Sequence, residues 1–388
     1  MYKKIAILSG DGIGPEVMQH SLQILDAIAG KFNHRFEYLE ASIGGAAYEY
    51  CGSHCPDETL NICEQSDAIL FGSVGGPLDQ QHLAKWKNCE VNSILKLRQH
   101  FNFNINMRPI TIYPELIAYS PLKSAAISNG LDMIIFRELT GGIYFGAHEL
   151  TTSNHQREAR DVCTYNETQI QNIIHAAFKA ARARKKQLCS VDKANVLATS
   201  RLWRELATEI AGDYPEVKLT HMLVDNCAMQ MIINPRQFDV IVTENLFGDI
   251  LSDLAAALPG SLGLIPSASL NHQGKGLYEP SGGSAPDIAG KGIANPSAQI
   301  LSAAMMLRYS FDMHEEADLI EKAVRTTIED GMVTADLAED AGKAASTAEF
   351  VSAVKENVIA RSEATWQSRK KLDCHGLHPR NDEHRKST

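Results

Sequence analysis

The chain has 388 residues, 44% of them hydrophobic and 22% charged, enough for roughly two or three domain-sized cores. Thirty-seven Lys and Arg against 47 Asp and Glu leave a formal net charge of −10, which argues against nucleic acid or an anionic membrane as a partner. No apolar run approaches the ~18 residues that span a bilayer. Residues 5–8, after Lys3 and Lys4, are shorter than the ~7-residue core of a secretory signal. The eight cysteines are too scattered for a disulfide scaffold, and Cys51 and Cys55 lack a second close pair to complete a tetrahedral metal set. Reduced thiols in a cytoplasmic protein are expected.

Short apolar runs alternate with helical patterns, which predicts an α/β architecture. Residues 5–8 read as a strand, followed by a glycine-rich turn. A helix then opens at Pro15, with Val17, Ser21, Leu22, Leu25 and Ile28 at helical spacing until Gly30. Residues 68–71 read as a second buried strand. Phe101, Phe103, Ile105 and Met107 alternate with polar partners, as in a half-buried strand. Residues 133–136, 219–224 and 240–242 complete the predicted strands. Helices are expected over 201–211, 247–258, 296–309 and 315–328. From Arg361 onward seven Lys/Arg, four Asp/Glu and three His stand among few apolar residues, so 361–388 is expected to be a disordered tail.

Gly10-Asp11-Gly12-Ile13-Gly14-Pro15 sits where a dinucleotide fingerprint would, but Pro15 breaks the G-x-G-x-x-G pattern. A tight strand-to-helix turn explains the glycines. Asp249 and Asp253 are more telling. At i and i+4 of one predicted helix they share a face about 6 Å apart at Cβ, and like charges there call for a cation or solvent between them. Asp225, at the end of a predicted strand, could add a third oxygen ligand for Mg²⁺ or Mn²⁺. A solvated acidic face is the plainer alternative. Arg98, Arg108 and Arg137 each sit in apolar surroundings and need an anion. A protein carboxylate is the usual source, and a di- or tricarboxylic substrate the other. Tyr144 and Lys193 are candidates for moving protons. Between Glu279 and Asp287, small residues predict a loop that would let backbone approach a ligand closely, a floppy surface loop being the alternative.

Together these stretches resemble the β-decarboxylating dehydrogenases, the isocitrate/isopropylmalate dehydrogenase family. The matching runs are GDGIGPEV (10–17), FGSVGGP (71–77), RELTGGIYFG (137–146), VDKANVL (191–197), FDV and NLFGDILSD (238–253), GLYEPSGGSAPDIAGKGIANP (276–296) and QILS (299–302). They follow family order over residues 3 to about 358. The segment 78–92 departs from the pattern, with the Lys-Trp pair displaced to Lys85 and Trp86, and Gly282 stands where members often carry His.

The resemblance implies a non-Rossmann fold of two α/β domains flanking a cleft. A large NAD-binding domain would combine 1–103 with 260–360, and 104–259 would hold the dimer interface and the metal and substrate residues. It implies that Arg98, Arg108 and Arg137 grip a substituted malate. Asp249 and Asp253, with Asp225 donated across a homodimer, would hold Mg²⁺ or Mn²⁺. Lys193, also donated across the dimer, would be the base and Tyr144 the proton donor. Glu279, Gly282, Gly283, Ser284, Ala285, Pro286, Asp287 and Asn295 would line the NAD side, Asp287 favouring NAD over NADP by repelling a 2′-phosphate. The implied reaction is NAD-dependent oxidative decarboxylation of 3-isopropylmalate to 4-methyl-2-oxopentanoate and CO₂, in leucine biosynthesis. Ile94 and Leu95, four and three residues before Arg98, would present methyl groups to the 3-substituent, with Val196 closing the pocket. The same chemistry on isocitrate, tartrate, 3-methylmalate or homoisocitrate is the alternative, and a non-catalytic cofactor-binding homologue is another.

Overall fold

A computed structural model describes residues 1–153, 156–338 and 340–373. The strands are β1 (Tyr2–Gly10), β2 (Arg35–Glu40), β3 (Ala68–Ser73), β4 (Ile105–Ile112), β5 (Leu131–Glu138), β6 (His148–Ser153), β7 (Gln156–Asp161), β8 (Gln187–Asp192), β9 (Lys218–Leu223), β10 (Val240–Thr243), β11 (Pro266–Leu270) and β12 (Gly276–Pro280). The α-helices are α1 (Gly14–Phe32), α2 (Gly44–Cys51), α3 (Asp57–Gln65), α4 (Lys96–His100), α5 (Glu167–Ala183), α6 (Ala198–Ile210), α7 (Val224–Ile233), α8 (Asn245–Ala256), α9 (Ser297–Tyr309), α10 (His314–Glu329) and α11 (Thr347–Asp373). The expected tail thus begins inside α11; its remainder, 374–388, lies outside the described residues.

Ten strands form one mixed sheet in the order β2-β1-β3-β12-β11-β4-β5-β10-β8-β9, and β6 pairs with β7 in a separate hairpin. The first five places come from residues 2–73 and 266–280, the last five from 105–243. Both flanks are parallel. The centre runs antiparallel from β12 through β11 and β4 to β5, and a three-residue ladder, Ala268↔Met107 to Leu270↔Ile105, joins the two halves. Buried parallel strands read as continuous apolar runs, which is why 68–71 and 240–242 are legible: every residue of β3 and β10 is buried. Helix α9 is buried from Ser297 to Leu307. It lies against β11 and β12 on one side and α1 and α10 on the other, as a helix apolar nearly all round must.

The first strand-to-helix turn serves the chain itself. Gly12 takes φ +59°, and a Cβ there would come within 1.9 Å of the Ser284 carbonyl oxygen. Ile13 N donates to that same carbonyl at 2.8 Å. The Asp11 carboxylate accepts from Gly45 N and Ala46 N at 2.8 Å and Gly75 N at 3.0 Å. No pyrophosphate cradle is left over, and the turn joins the 281–296 loop to the sheet. Two predicted elements shift. The alternating run 101–107 becomes strand only from Ile105, because Asn102 takes a left-handed φ of 49° after α4. Helix α1 passes Gly30 and stops at Asn33, which is also left-handed.

Candidate active site

Arg98 (α4), Arg108 (β4) and Arg137 (β5) meet on the wall of a cavity of about 460 Å³. All three are buried, and each has a carboxylate partner from the chain, the more usual of the two expected outcomes. Arg98 Nη2 donates to Glu279 Oε1 at 2.8 Å. Arg108 Nη1 donates to Asp253 Oδ1 at 3.1 Å and to Ser252 Oγ at 2.7 Å, and its Nε to Asn106 Oδ1 at 3.0 Å. Arg137 Nη1 donates to Asp249 Oδ1, while Nε and Nη2 fork onto Asn245 Oδ1 at 3.0 and 2.9 Å. The approach of α8 to Arg137 needs Gly248, where a Cβ would lie 2.6 Å from Arg137 Cγ.

The cations remain crowded. Burial, then the charge of Arg98, lowers the pKa of Arg108. Burial, then Arg108, brings Arg137 down to about 10. Arg98 Nε is buried without a hydrogen-bond partner. A cluster of mutually repelling guanidiniums with a spare donor suits an anion carrying more than one carboxylate.

Asp249 and Asp253 stand one turn apart on α8, so the like charges expected to need a cation are each countered by an arginine. Their side chains keep 32% and 70% exposure, which leaves oxygen available to a hard divalent cation. Asp225 lies elsewhere. In the first turn of α7, it accepts from Lys193 Nζ at 2.5 Å, and that contact lowers its pKa. Among the described residues no three His, Cys, Asp or Glu side chains gather into a metal-sized group. Lys193, Asp225 and the exposed Val196 do not line the arginine cavity of their own chain. Exposed apolar side chains stand near them in the chain: Leu197 after Val196, and Met229, Ile232 and Ile233 on α7 with Asp225.

Tyr144 does line the cavity. It sits in the three-residue turn Ile143–Phe145, and its hydroxyl donates to Asp249 Oδ2 at 2.8 Å. Burial, then the Asp249 carboxylate, pushes the phenol up to about 12, so it is a proton donor at neutral pH. Ile94 and Leu95 form an apolar wall of the same cavity, in a π-helical turn leading into α4. The displaced Trp86 lies flat over the backbone, since a Cβ at Gly45 or Gly76 would strike its indole at 2.1 or 2.2 Å. It thereby anchors the 78–92 segment, which delivers Glu90 to the cavity.

A second, mostly apolar cavity of about 410 Å³ adjoins the first, and Ser73, Gly282 and Gly283 line both. Ala285 and Asn295 also line it. Ser284 is turned instead to the Gly12 turn, Pro286 and Asp287 are exposed outside it, and Glu279 is at Arg98. The shape suits the flat, partly apolar body of a dinucleotide, and Asn295 and Asp336 offer polar ends. Asn295 Nδ2 donates to Asp336 Oδ2 at 3.0 Å.

A family model described as isocitrate/isopropylmalate dehydrogenase matches residues 4–354. The chain belongs to this family. It is 53% identical over 353 residues to a 3-isopropylmalate dehydrogenase of Haemophilus influenzae, covering 89% of this chain and 96% of the relative. To one of Desulfitobacterium hafniense it is 52% identical, covering 90% and 98%. Among solved structures, the isocitrate dehydrogenase of Methylococcus capsulatus superposes with a TM-score of 0.81 at 37% identity, covering 92% of this chain and 99% of that one.

In this member of the isocitrate/isopropylmalate dehydrogenase family, several site residues carry no signal in a linear reading. Ser252, Asn106 and Asn245 are the neutral partners that fix the arginine forks. Ile13, Leu262 and Asp336 line the second cavity. His148 lines the first, and its only clue is a position two residues beyond the GIYFG run.

Proposed function

We propose that the chain catalyses NAD-dependent oxidative decarboxylation of 3-isopropylmalate to 4-methyl-2-oxopentanoate and CO₂, a step of leucine biosynthesis. The observation that carries this reading is one cavity holding three crowded arginines beside the apolar wall of Ile94 and Leu95. The names of the relatives at about half identity agree with it. The arginines bind the two carboxylates, and the methyl wall takes the isopropyl group. Isocitrate would leave its third carboxylate desolvated there without a donor.

Bound NAD supplies the acceptor for the C2 hydride, and bound Mg²⁺ or Mn²⁺, held by Asp249, Asp253 and Asp225 of the partner subunit, supplies a Lewis acid. The chain's residues handle the protons. Lys193 of the partner subunit takes the proton of the C2 hydroxyl. After C3 loses its carboxylate as CO₂, Tyr144 protonates that carbon, the high phenol pKa keeping the proton in place until then. We place the base in the partner because Lys193 and Asp225 lie outside their own cavity, beside exposed apolar side chains suited to a two-fold contact. On this reading two domains, 1–103 with 260–360 and 104–259, close on the substrate. Among the described residues all cysteines are free and no helix is long and apolar enough to cross a membrane, in keeping with a reducing, cytoplasmic setting.

The test is NADH formation over a panel of 2-hydroxy acids. 3-Isopropylmalate should exceed isocitrate in kcat/KM by orders of magnitude, and unbranched malate by about 10- to 200-fold per methylene equivalent lost. Equal or better turnover of isocitrate or tartrate overturns the substrate, and NAD binding without turnover of any of them overturns the reaction.

A further inference from the structure

Lys193 stands in the bend between β8 and α6, and hydrogen bonds fix the backbone on both sides of it. Asp192 Oδ1 accepts from Ala194 N at 2.9 Å. The Lys193 carbonyl accepts from Val196 N at 2.9 Å and from Leu197 N at 3.0 Å, which turns the chain into α6. Asp192 itself is 1% exposed, and a carboxylate so enclosed needs a partner. Arg204, nearly two turns into α6, supplies it as a fork. Its Nε donates to Asp192 Oδ2 and its Nη2 to Oδ1, both at 2.8 Å. Trp203 Nε1 donates to Ser190 Oγ at 3.2 Å, a second tie between α6 and β8. One oxygen, Asp192 Oδ1, thus takes both the guanidinium and the amide that follows Lys193. The guanidinium fixes the acceptor that fixes the lysine's loop.

We propose that Arg204 is a positioning residue for Lys193, setting through Asp192 where the ammonium stands in the partner subunit's site. The inference rests on the reading of Lys193 as a base donated across a homodimer. Arg204 lines neither cavity of its own chain, so it touches no reactant there. A lysine carries its ammonium on a flexible four-carbon stem, so the placement of its backbone is what the fold can preset. Only Asp225 Oδ1, on α7, meets the ammonium directly among the hydrogen bonds of the described residues. An exposed ion pair would add little to such placement. This one is forked, encloses its carboxylate and shares an oxygen with the loop. Loss of the fork should therefore displace the base without touching the three arginines that hold the substrate.

Arg204→Met keeps the apolar stem and removes the fork, and Arg204→Lys keeps the charge as a single point. Arg204→Met should lower kcat for 3-isopropylmalate about 10- to 100-fold, since a displaced reacting group costs rate. KM should stay within about two-fold, because substrate binding is left to Arg98, Arg108 and Arg137. Arg204→Lys should lose less, and it carries the same readouts if the methionine variant does not fold. Dimers mixed from two variants separate positioning from plain stability. Paired with Arg108→Ala, Arg204→Met chains should regain up to about half of wild-type activity, since one site has whole arginines and a well-placed lysine. Paired with Lys193→Met, they should reach no more than about half of the Arg204→Met homodimer. Unchanged kcat, a KM rise matching the kcat loss, or the reverse pattern of rescue overturns the proposal. Hydrogen exchange of the 194–197 amides needs no turnover, and it should quicken about 10-fold in Arg204→Met. Unchanged exchange overturns the proposal as well. Quickened exchange in a protein whose Lys193→Met variant still turns over malate instead faults the base and upholds Arg204 as what places Lys193.

Discussion

Glu244 immediately precedes α8, the helix that carries Asp249 and Asp253, and it is 6% exposed. Its carboxyl has a weak thiol donor, Cys163 Sγ at 4.0 Å from Oε2. Its near neighbour Glu138, wholly buried, holds the better donors: Thr140 N at 2.7 Å, Thr140 Oγ1 at 2.5 Å and Gly141 N at 2.8 Å. Burial first, then the Glu138 charge, lifts Glu244 from the ordinary 4.5 to about 7. Burial raises Glu138 as well, but its donors oppose the rise. The folded state therefore binds a proton at Glu244 that the unfolded chain releases. The resulting stabilisation is complete below pH 4.5 and is lost as pH climbs through 7. At about 1.4 kcal/mol per pH unit the span sets a ceiling of about 3.5 kcal/mol, and relaxation around a coupled pair brings the expectation to about 1–2 kcal/mol. Glu244→Gln keeps the shape and removes the titration. In urea melts it should match wild type within about 0.5 kcal/mol at pH 5 and exceed it by about 1–2 kcal/mol at pH 8.5, the difference bending near pH 7. A constant offset across pH, or a less stable variant at pH 8.5, refutes the reasoning.

Chelator-treated protein should lose turnover and regain it with Mn²⁺ or Mg²⁺, because Asp249 and Asp253 stay 32% and 70% exposed beside their arginines, within reach of a hard cation; full activity in excess chelator removes the metal. Lys193→Met and Arg108→Ala should each abolish turnover alone, while mixed dimers, with one intact site of two, regain up to about half of wild-type activity if the site is shared. Silent, verified heterodimers would return the base to the same chain. Gly12→Ala should destabilise the fold by at least about 1–3 kcal/mol, since its Cβ meets the Ser284 carbonyl at a left-handed φ, and an unchanged melting midpoint would mean that the turn relaxes freely.

The strands that could be read from sequence are those whose burial leaves one signature. Residues 5–8, 68–71, 133–136 and 240–242 fall inside β1, β3, β5 and β10, all covered on both faces. Strand β2 could not be read, because its edge position leaves Arg35–Glu40 exposed or half-buried and chemically mixed. Phe101 and Phe103 alternate like a strand yet pack with the smaller apolar core from a loop. Alternation records which side chains are inward, and a tight turn can satisfy it as well as a pleat. At the site, Arg98, Arg108 and Arg137 were legible as buried cations wanting an anion. Their partners were not, because Glu279, Asp253 and Asp249 lie 181, 145 and 112 residues away and only the sheet order brings them together.

Gly282 and Gly283 form the shared wall of the two cavities, and neither answers to a demand of the fold. Both have ordinary backbone angles, and a Cβ at either would meet no protein atom within 4 Å. Alanine should be tolerated at both as far as melting temperature or expression can tell. The restriction acts only when both cavities are filled, because a side chain there stands between the two guests. A library of this protein selected for robustness alone would thus drift freely at 282 and 283, and, on the proposed reading, the partition between oxidant and fuel would thicken without any loss of structure to announce it.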